Sequence, residues 1–286
     1  MSGIARTVPL EPGLYLLATP IGTARDITLR ALDTLASADV IAAEDTRTAR
    51  KLMEIHGIHL GDRPLIAYHD HNGPQVRPRL LRMIEEGRSV AYASEAGTPL
   101  VADPGFVLAR EAIARGLPVT GAPGPSAVLA ALTVAGLPSD RFLFAGFLPP
   151  AGAARRRALA EVAQVPATLI FFESPRRLSG SLRDFVEVLG ADRGAAVCRE
   201  LTKRFEEARR GTLAELADAY AGTPPKGEIV IVVDRDRAGA SAEDMEMALE
   251  AAMETMSVKD AAAHVAKALG LPKRDVYQAA LARGRK

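Results

Sequence analysis

Short apolar runs alternate along most of the chain with segments whose apolar residues recur every three or four positions. Apolar runs of four or five residues predict buried strands, and the longer spacing predicts amphipathic helices. In the first half, strands are predicted at 14–18, 39–43, 64–68, 89–93 and 117–120, with helices between them at 28–38, 44–57, 78–86 and 106–115. This alternation indicates an α/β fold with a mostly parallel sheet and helices on both faces.

A second series of elements follows the sequence "GAPGPSA". Its predicted strands are 142–147, 167–173, 195–200, 204–210 and 228–234, and its predicted helices are 126–135, one across the arginines at 155–157, 176–189 and 213–221. Consecutive short strands indicate a mixed sheet in this half. The polar stretch 235–244 predicts a linker. We therefore expect an N-terminal α/β domain at 1–121, a C-terminal α/β domain at 122–237, and a linker with a helical tail at 238–286.

The tail contains "SVKDAAAHVAKALGLPKRDVYQAAL", which predicts two helices joined by a turn at 270–272, with a further helix before them at 242–255. This is the helix-turn-helix pattern. Residues 257–286 hold seven Lys or Arg and two acidic residues, whereas the whole chain carries a net charge of +1. A basic helical hairpin favours contact with nucleic acid. A small helical cap with a solvated basic surface is the open alternative.

Composition bounds the remaining possibilities. The 286 residues are 48% hydrophobic and 25% charged, which is typical of globular proteins. The single cysteine, Cys198, cannot form an internal disulfide, and Glu11 and Pro12 interrupt the first apolar region. The longest nearly apolar run, 127–137, is too short to cross a bilayer. We expect a soluble cytoplasmic protein with no membrane partner.

Several familiar motifs are missing. The sequence contains no G-x-G-x-x-G after a predicted strand, no phosphate-binding G-x-x-x-x-G-K-[ST], no G-x-S-x-G and no pair of C-x-x-C ligands. His69, Asp70 and His71 form the one cluster that resembles a metal site, but no third histidine or cysteine is evidently placed to complete it. We interpret this cluster as a polar loop and predict no metal, with a metal site as the alternative.

Small, polar and Gly- or Pro-rich loops recur mostly at the ends of the predicted strands. They are "TPIGT" at 19–23, "EDTR" at 44–47, "SEAGTPLVADPG" at 94–105, "APGPSA" at 122–127, "FESPRR" at 172–177 and "RELTKR" at 199–204. Small residues let a ligand approach the backbone, and the carboxyl ends of parallel strands share one edge of a sheet. The set of loops therefore predicts a binding site.

These loops, in this order and spacing, resemble the ribosomal RNA small subunit methyltransferase I family within the tetrapyrrole methylase superfamily. The likeness runs from 14 to 233 and includes the tail. It depends on "TPIGTARDITLRAL", "AAEDTR", "HDHN", "SEAGTPLVADPG", "PGPSA", "AGLPSDRFLFAGFLP", "FFESPRRL" and "RELTKRFEE". The chain departs from the usual family pattern at Glu95, where Asp is common, and at Thr23, where Asn is common.

The resemblance implies two α/β domains with S-adenosylmethionine between them. It also implies methyl transfer to the ribose 2′-oxygen of a cytidine in the decoding region of 16S rRNA, in the small ribosomal subunit, by a homodimer. Two other functions stay open: methylation of a corrin or porphyrin precursor on the same fold, and a non-catalytic helix-turn-helix regulator that senses S-adenosylmethionine. The basic tail, "HDHN" and "FFESPRRL" favour RNA over a tetrapyrrole.

The resemblance and the chemistry of the loops together nominate three sets of residues. The cofactor-binding set is Pro20, Gly22, Ser94, Glu95, Ala96, Gly97, Thr98, Asp103, Gly124, Pro125, Ser126, Ala127, Phe172, Glu173, Leu201 and Gly227. A ribose hydroxyl is a weak acid, so a nearby base or cation should help its attack. The candidates for that role are Glu44, Asp103, Glu173, Glu200 and Lys203. The RNA-binding set is Arg47, His69, His71, Arg155, Arg156, Arg157, Arg176, Arg177, Lys273 and Arg274.

Overall fold

The computed structural model describes residues 5–235, 242–269 and 271–283. Its first compact unit comprises the described residues up to Thr133 together with Arg199–Glu207. Its second comprises Val134–Cys198 and the described residues from Ala208 onward. Most of the predicted linker and Gly270 of the predicted tail turn lie outside the described residues. The domain boundaries expected at residues 121 and 237 remain predictions.

The first unit alternates strands and helices, as the hydrophobic pattern predicts. In chain order its elements are β1 (Gly13–Leu17), α1 (Leu29–Ser37), β2 (Val40–Ala43), α2 (Thr46–Ile55), β3 (Leu65–Ala67), α3 (Gly73–Glu85), β4 (Ser89–Ala93), α4 (Gly105–Ala114), β5 (Val119–Ala122) and α5 (Ala127–Ala135), whose last residues fall in the second unit. The sheet has the order β3-β2-β4-β1-β5, and every neighbouring pair is parallel.

Both faces of this sheet are covered by helices. On one face Leu17 and Ile41 pack in a buried cluster with residues of α1 and α2. On the other face Leu14, Val90 and Tyr92 pack with residues of α3 and α4. Strands that are buried on both sides have no polar alternation, which is why β1, β2 and β4 are almost entirely apolar. The predicted layer of helices on each face is confirmed.

Helix α3 is longer than its sequence pattern predicts. It begins at Gly73 and not at Pro78, so Pro78 lies inside the helix. Pro74 occupies the first turn, where a missing amide hydrogen is tolerated. Pro78 has no amide hydrogen to donate to the carbonyl of Pro74, one turn earlier. The prediction treated Pro78 as the helix start because a proline is least costly there.

Two strands begin two or three residues later than predicted, each for a local reason. Pro118 cannot donate a ladder hydrogen bond, although its carbonyl accepts one from the amide of Leu14 at 2.8 Å, and β5 begins at Val119. The chain before β9 contains two residues, Glu200 and Thr202, with positive φ. The turn that they begin continues to residue 205, and the amide of Glu206 donates to the carbonyl of Lys203 at 3.1 Å, so the strand forms only from Glu207.

The second unit contains a mixed sheet and a helical tail. Its elements are β6 (Phe142–Phe147), α6 (Gly152–Val162), β7 (Thr168–Glu173), α7 (Leu178–Leu189), β8 (Gly194–Arg199), β9 (Glu207–Thr212), α8 (Leu213–Ala219), β10 (Ile229–Val233), α9 (Ala242–Met253), α10 (Val258–Leu269) and α11 (Lys273–Arg283). The strand order is β6-β7-β10-β8-β9. Strand β7 pairs parallel with β6 and antiparallel with β10, which confirms the predicted mixed sheet.

The tail helices have a small core of their own. Leu249 of α9, Val265 of α10 and Val276 of α11 are buried in one cluster whose other fully buried members are alanines of the same helices. The predicted helices after the linker are therefore confirmed. Within the part of the chain that the structure describes, no helix combines the length and the apolar character needed to cross a bilayer.

Candidate functional site

The carboxyl ends of the five strands in the first unit lie in one register. Ala43 pairs with Ala67 and with Ala93, Ala93 pairs with Leu17, and Leu17 pairs with Ala122. The chain leaves this row into the predicted loops 19–23, 44–47, 69–72, 94–105 and 122–127. Because the pairing is parallel throughout, these loops share one edge of the sheet, as predicted.

Hydrogen bonds pin the loop after β4 to the loop after β1. The amide of Thr19 donates to the carbonyl of Gly97 at 3.0 Å, and the amide of Gly97 donates to the carbonyl of Thr19 at 2.9 Å. The hydroxyl of Ser94 donates to the carbonyl of Gly97 at 2.6 Å, and that of Thr19 to the carbonyl of Ser94 at 3.0 Å. Gly97 has φ +83°, a conformation that favours glycine. The first half of "SEAGTPLVADPG" is therefore a fixed turn.

The same loop is also tied to the loop after β5. The hydroxyl of Thr98 donates to the carbonyl of Pro125 at 2.9 Å. A Cβ atom added at Gly124 would lie 3.0 Å from the Cβ of Ala18, closer than side chains normally approach. Three of the small-residue segments nominated for the cofactor, at 19–23, 94–98 and 124–127, thus form one continuous surface of backbone and short side chains.

Asp103 holds the second half of the loop after β4 in a fixed conformation. Its Oδ1 accepts hydrogen bonds from the hydroxyl of Tyr92 at 3.0 Å and from the amides of Leu100 at 3.2 Å and Gly105 at 2.8 Å. Leu100 and Ala102 both have positive φ, which is unfavourable for residues with a Cβ. Burial raises the pKa of Asp103, while these hydrogen bonds oppose the rise. The carboxylate therefore stabilises a strained turn from within.

Glu44 follows β2 at the same edge and is the centre of a group of acids. Desolvation raises the pKa of its carboxyl, and repulsion from Glu95, Asp103 and Asp70 raises it further. The other three carboxylates therefore act electrostatically on Glu44. Their common field is negative, which favours a cation at this edge of the sheet.

The loop "RELTKR" belongs to the first unit and contacts the loop after β1. The amide of Thr23 donates to the hydroxyl of Thr202 at 3.1 Å, and the hydroxyl of Thr23 donates to the carbonyl of Thr202. A Cβ at Gly22 would lie 2.5 Å from Cγ of Lys203, so only glycine fits there. The ammonium of Lys203 lies 3.0 Å from the carboxylate of Glu200. These two candidates form an ion pair, and Leu201 beside them is buried.

Glu173, Phe172 and Gly227 lie in the second unit. Glu173 is buried, and its carboxylate accepts hydrogen bonds from the Ser181 hydroxyl and the Ser174 amide and forms an ion pair with Arg177 at 3.1 Å. Phe172 packs edge-on against two other phenylalanine rings. Glu173 therefore anchors the turn between β7 and α7, and its contacts are those of a structural carboxylate.

The predicted RNA-binding arginines differ in exposure, which corrects part of the prediction. Arg155 is buried, and its Nε donates to the carboxylate of Asp184 at 2.6 Å. Arg177 donates to the carbonyl of Leu148 at 2.5 Å and pairs with Glu173. The Arg155 guanidinium is held inside the unit and is not placed to bind phosphate, whereas the Arg177 side chain is 28% exposed and stays a predicted RNA contact. A run of arginines in sequence does not distinguish the buried position of a helix from its exposed ones.

The other nominated cations remain at the surface. Arg156 pairs with Asp184 at 2.9 Å but is partly exposed, and Arg47 pairs with Asp45 at 2.7 Å while remaining largely exposed. The exposed residues of the RNA-binding set are Arg47, His71, Arg157, Arg176, Lys273 and Arg274. His69 is half-buried, and its Nδ1 is a buried atom with no hydrogen-bond partner among the described residues. No group of three metal-ligating side chains occurs in the described ranges.

The fold and the site define the class of protein. The pattern of the tetrapyrrole (corrin/porphyrin) methylases matches residues 13–217, and that of the RsmI C-terminal HTH domain matches residues 239–284. A solved structure of uroporphyrin-III C-methyltransferase from Thermus thermophilus, complexed with S-adenyl homocysteine, has the same fold. Its TM-score is 0.54 at 19% identity, over 77% of this chain and 96% of that one.

Relatives with much higher identity give the family. A ribosomal RNA small subunit methyltransferase I of Mesorhizobium japonicum is 53% identical over 272 residues, which cover 94% of this chain and 92% of the relative. One from Erythrobacter litoralis is 50% identical and covers 96% of both chains. The chain belongs to the ribosomal RNA small subunit methyltransferase I family. The predicted family is confirmed, and with it the expected methyl donor of the family, S-adenosylmethionine.

The role of Asp103 can be tested by substitution. Asp103→Ala would leave the Tyr92 hydroxyl and two loop amides without their acceptor, so we expect a loss of about 2–4 kcal/mol in the free energy of unfolding. Asp103→Asn keeps one acceptor oxygen and should lose less. Urea denaturation measures both, with Asp70→Ala as the control because Asp70 is an exposed acid at the same edge. Equal stability of D103A and D70A would contradict the role.

Proposed function

We propose that this chain transfers the methyl group of S-adenosylmethionine to the ribose 2′-hydroxyl of a cytidine in 16S rRNA of the small ribosomal subunit. The observation that carries the proposal is identity of 50% or more with small subunit rRNA methyltransferases over nearly the whole of both chains. The match includes the basic helical tail, which a tetrapyrrole substrate would not require. The proposal extends to a cytoplasmic homodimer, as the resemblance implies.

The residues of the first unit fit the donor chemically. S-adenosylmethionine carries an adenine, a zwitterionic amino acid and a sulfonium cation. The turn that buried Gly97 holds in shape presents exposed Ala96, and the loop after β5 presents exposed Gly124. The acids around Glu44 supply a negative field for the cation. We assign 96–98 and 124–127 to the donor.

The donor supplies a methyl group that is already activated on sulfur. The chain must then orient the ribose oxygen, exclude water and accept a proton. Among the five candidates, Asp103 and Glu173 are occupied by structural hydrogen bonds, and Glu200 and Lys203 pair with each other. Glu44 lies outside these contacts, and desolvation raises the pKa of its carboxyl, as it does that of Asp103. We propose Glu44 as the general base.

Methyl transfer itself is the first test. Purified protein and tritiated S-adenosylmethionine should label small subunits from cells that lack the modification, and nuclease digestion with mass spectrometry should identify 2′-O-methylcytidine. Large subunits and uroporphyrinogen III serve as acceptor controls. Label in the tetrapyrrole would support the corrin or porphyrin alternative. Binding of the donor with no transfer to any acceptor would support the regulator.

Donor affinity should depend on pH through Glu44. As the pH rises through the raised pKa of Glu44, its carboxylate ionises and favours the sulfonium, so binding of S-adenosylmethionine should strengthen by roughly 3-fold or more. S-adenosylhomocysteine has no sulfonium charge and should change less. Calorimetry between pH 5 and 7.5 measures the difference between the two ligands, and Glu44→Gln should remove it. The same pH dependence for both ligands in the wild type would refute this account.

RNA binding should depend on the exposed arginines of the second unit. Replacing Arg157 and Arg176 by Gln should reduce the slope of log affinity against log salt by up to about 2, since each phosphate contact contributes nearly one unit. Arg79→Gln is the control, because Arg79 is an exposed arginine on α3 outside the nominated set. Fluorescence titration of labelled rRNA fragments gives the slopes. A wild-type slope in the double variant would mean that these two arginines are exposed to solvent but do not contact RNA phosphates.

A further inference from the structure

A cavity of about 150 Å³ opens in the first unit between α2 and the loops after β1 and β4. Helix α2 forms one wall with Thr48, Lys51, Leu52 and Ile55, whose spacing places them on one face of the helix. His56 fixes the rim, because its Nε2 lies 3.0 Å from the carbonyl of Ala24, which also lines the cavity. The cavity is therefore held by described contacts within one unit.

The lining of this cavity combines apolar side chains with two opposite charges. Pro20, Leu52 and Ile55 are apolar, and Ile55 is 55% exposed although it is a large aliphatic residue. Glu95 and Lys51 provide a carboxylate acceptor and an ammonium donor on different walls. A flat ring with a hydrogen-bond donor on one side and an acceptor on the other matches this lining. Nucleobases have this form, and RNA-binding proteins read unstacked bases on such edges.

The cavity adjoins the segment that we assign to the methyl donor. Thr19 and Ser94 line the cavity, and both hydrogen-bond to Gly97, which belongs to the proposed donor turn. A base held in the cavity would thus lie beside the donor, separated by one pair of short side chains. This adjacency is what methyl transfer to the attached ribose requires.

We propose that this cavity receives the base of the target nucleoside, and that Glu95 and Lys51 select cytosine. The Glu95 carboxylate accepts a hydrogen bond from the exocyclic amine of cytosine, and the Lys51 ammonium donates to its ring nitrogen or carbonyl oxygen. Uracil presents a carbonyl oxygen in place of the amine, and a carboxylate repels it. This inference rests on the proposed function. It assigns Glu95 to the substrate and not to the cofactor, together with the other nominated residues that line the cavity, Pro20, Gly22 and Ser94.

Filling the cavity tests its use. Ile55→Trp should block it, while Ile113→Trp is the matched control, because Ile113 is an equally accessible isoleucine on α4 at 64% exposure. We expect both variants to bind S-adenosylmethionine with wild-type affinity in calorimetry. I55W alone should lose roughly 10-fold or more in kcat/KM for small subunits. Equal activity of the two variants would overturn the inference, and so would loss of donor binding in I55W.

Base selection has a separate readout. Wild-type protein should methylate small subunits with cytidine at the target position far better than subunits in which that position is uridine. Glu95→Gln should narrow this ratio by roughly 10-fold, because a glutamine amide can pair with either base. An unchanged ratio would overturn the role of Glu95. If the wild type methylates neither, the proposed function itself fails, whereas activity with an unchanged ratio removes only this inference.

Discussion

Parallel, in-register pairing of the first sheet determines where every candidate group of the first unit can lie. Ala67, Ala43, Ala93, Leu17 and Ala122 end their strands side by side. The histidine cluster at 69–71 follows the first of them, and the other four are followed by loops that were singled out by their small and polar residues. The connections between parallel strands pass through helices on the faces of the sheet. The loops at this edge therefore do not have to form tight hairpin turns. They can be shaped by contacts with one another.

Those contacts explain how loops without regular structure keep a defined form. Paired backbone hydrogen bonds join Thr19 and Gly97, a threonine hydroxyl joins 98 to 125, and one carboxylate oxygen of Asp103 collects three donors. Each bond satisfies a group that burial would otherwise leave unpaired. The chemical consequence is a division of labour among the acids. Asp103 maintains the turn, whereas we propose that Glu44 and Glu95 keep their carboxylates for ligands.

Much of this could be predicted from the sequence, because apolar runs and helical spacing are local properties. The strands and helices were predicted with shifts of a few residues, and the shifts at Pro78 and Pro118 came from proline, whose tolerance depends on the neighbouring chain. Side-chain burial and contacts between distant residues could not be predicted from the sequence. Nothing local distinguishes buried Arg155 from exposed Arg157, and the bond between Thr23 and Thr202 joins residues far apart in sequence. In the sequence, Lys51 and Ile55 fit the pattern of an amphipathic helix, and nothing indicates that they line a cavity.

The segment Arg199–Glu207 belongs to the first unit, although the strands on either side of it, β8 and β9, belong to the second. The last strand of the first sheet, β5, ends at Ala122, yet the space beside Gly22 is filled by Thr202 and Lys203, which are synthesised eighty residues later. A chain that is still being synthesised therefore has all of the first unit except the segment Arg199–Glu207. Completion of the candidate site is tied to translation of the second sheet, so a truncated product ending at residue 133 would lack it.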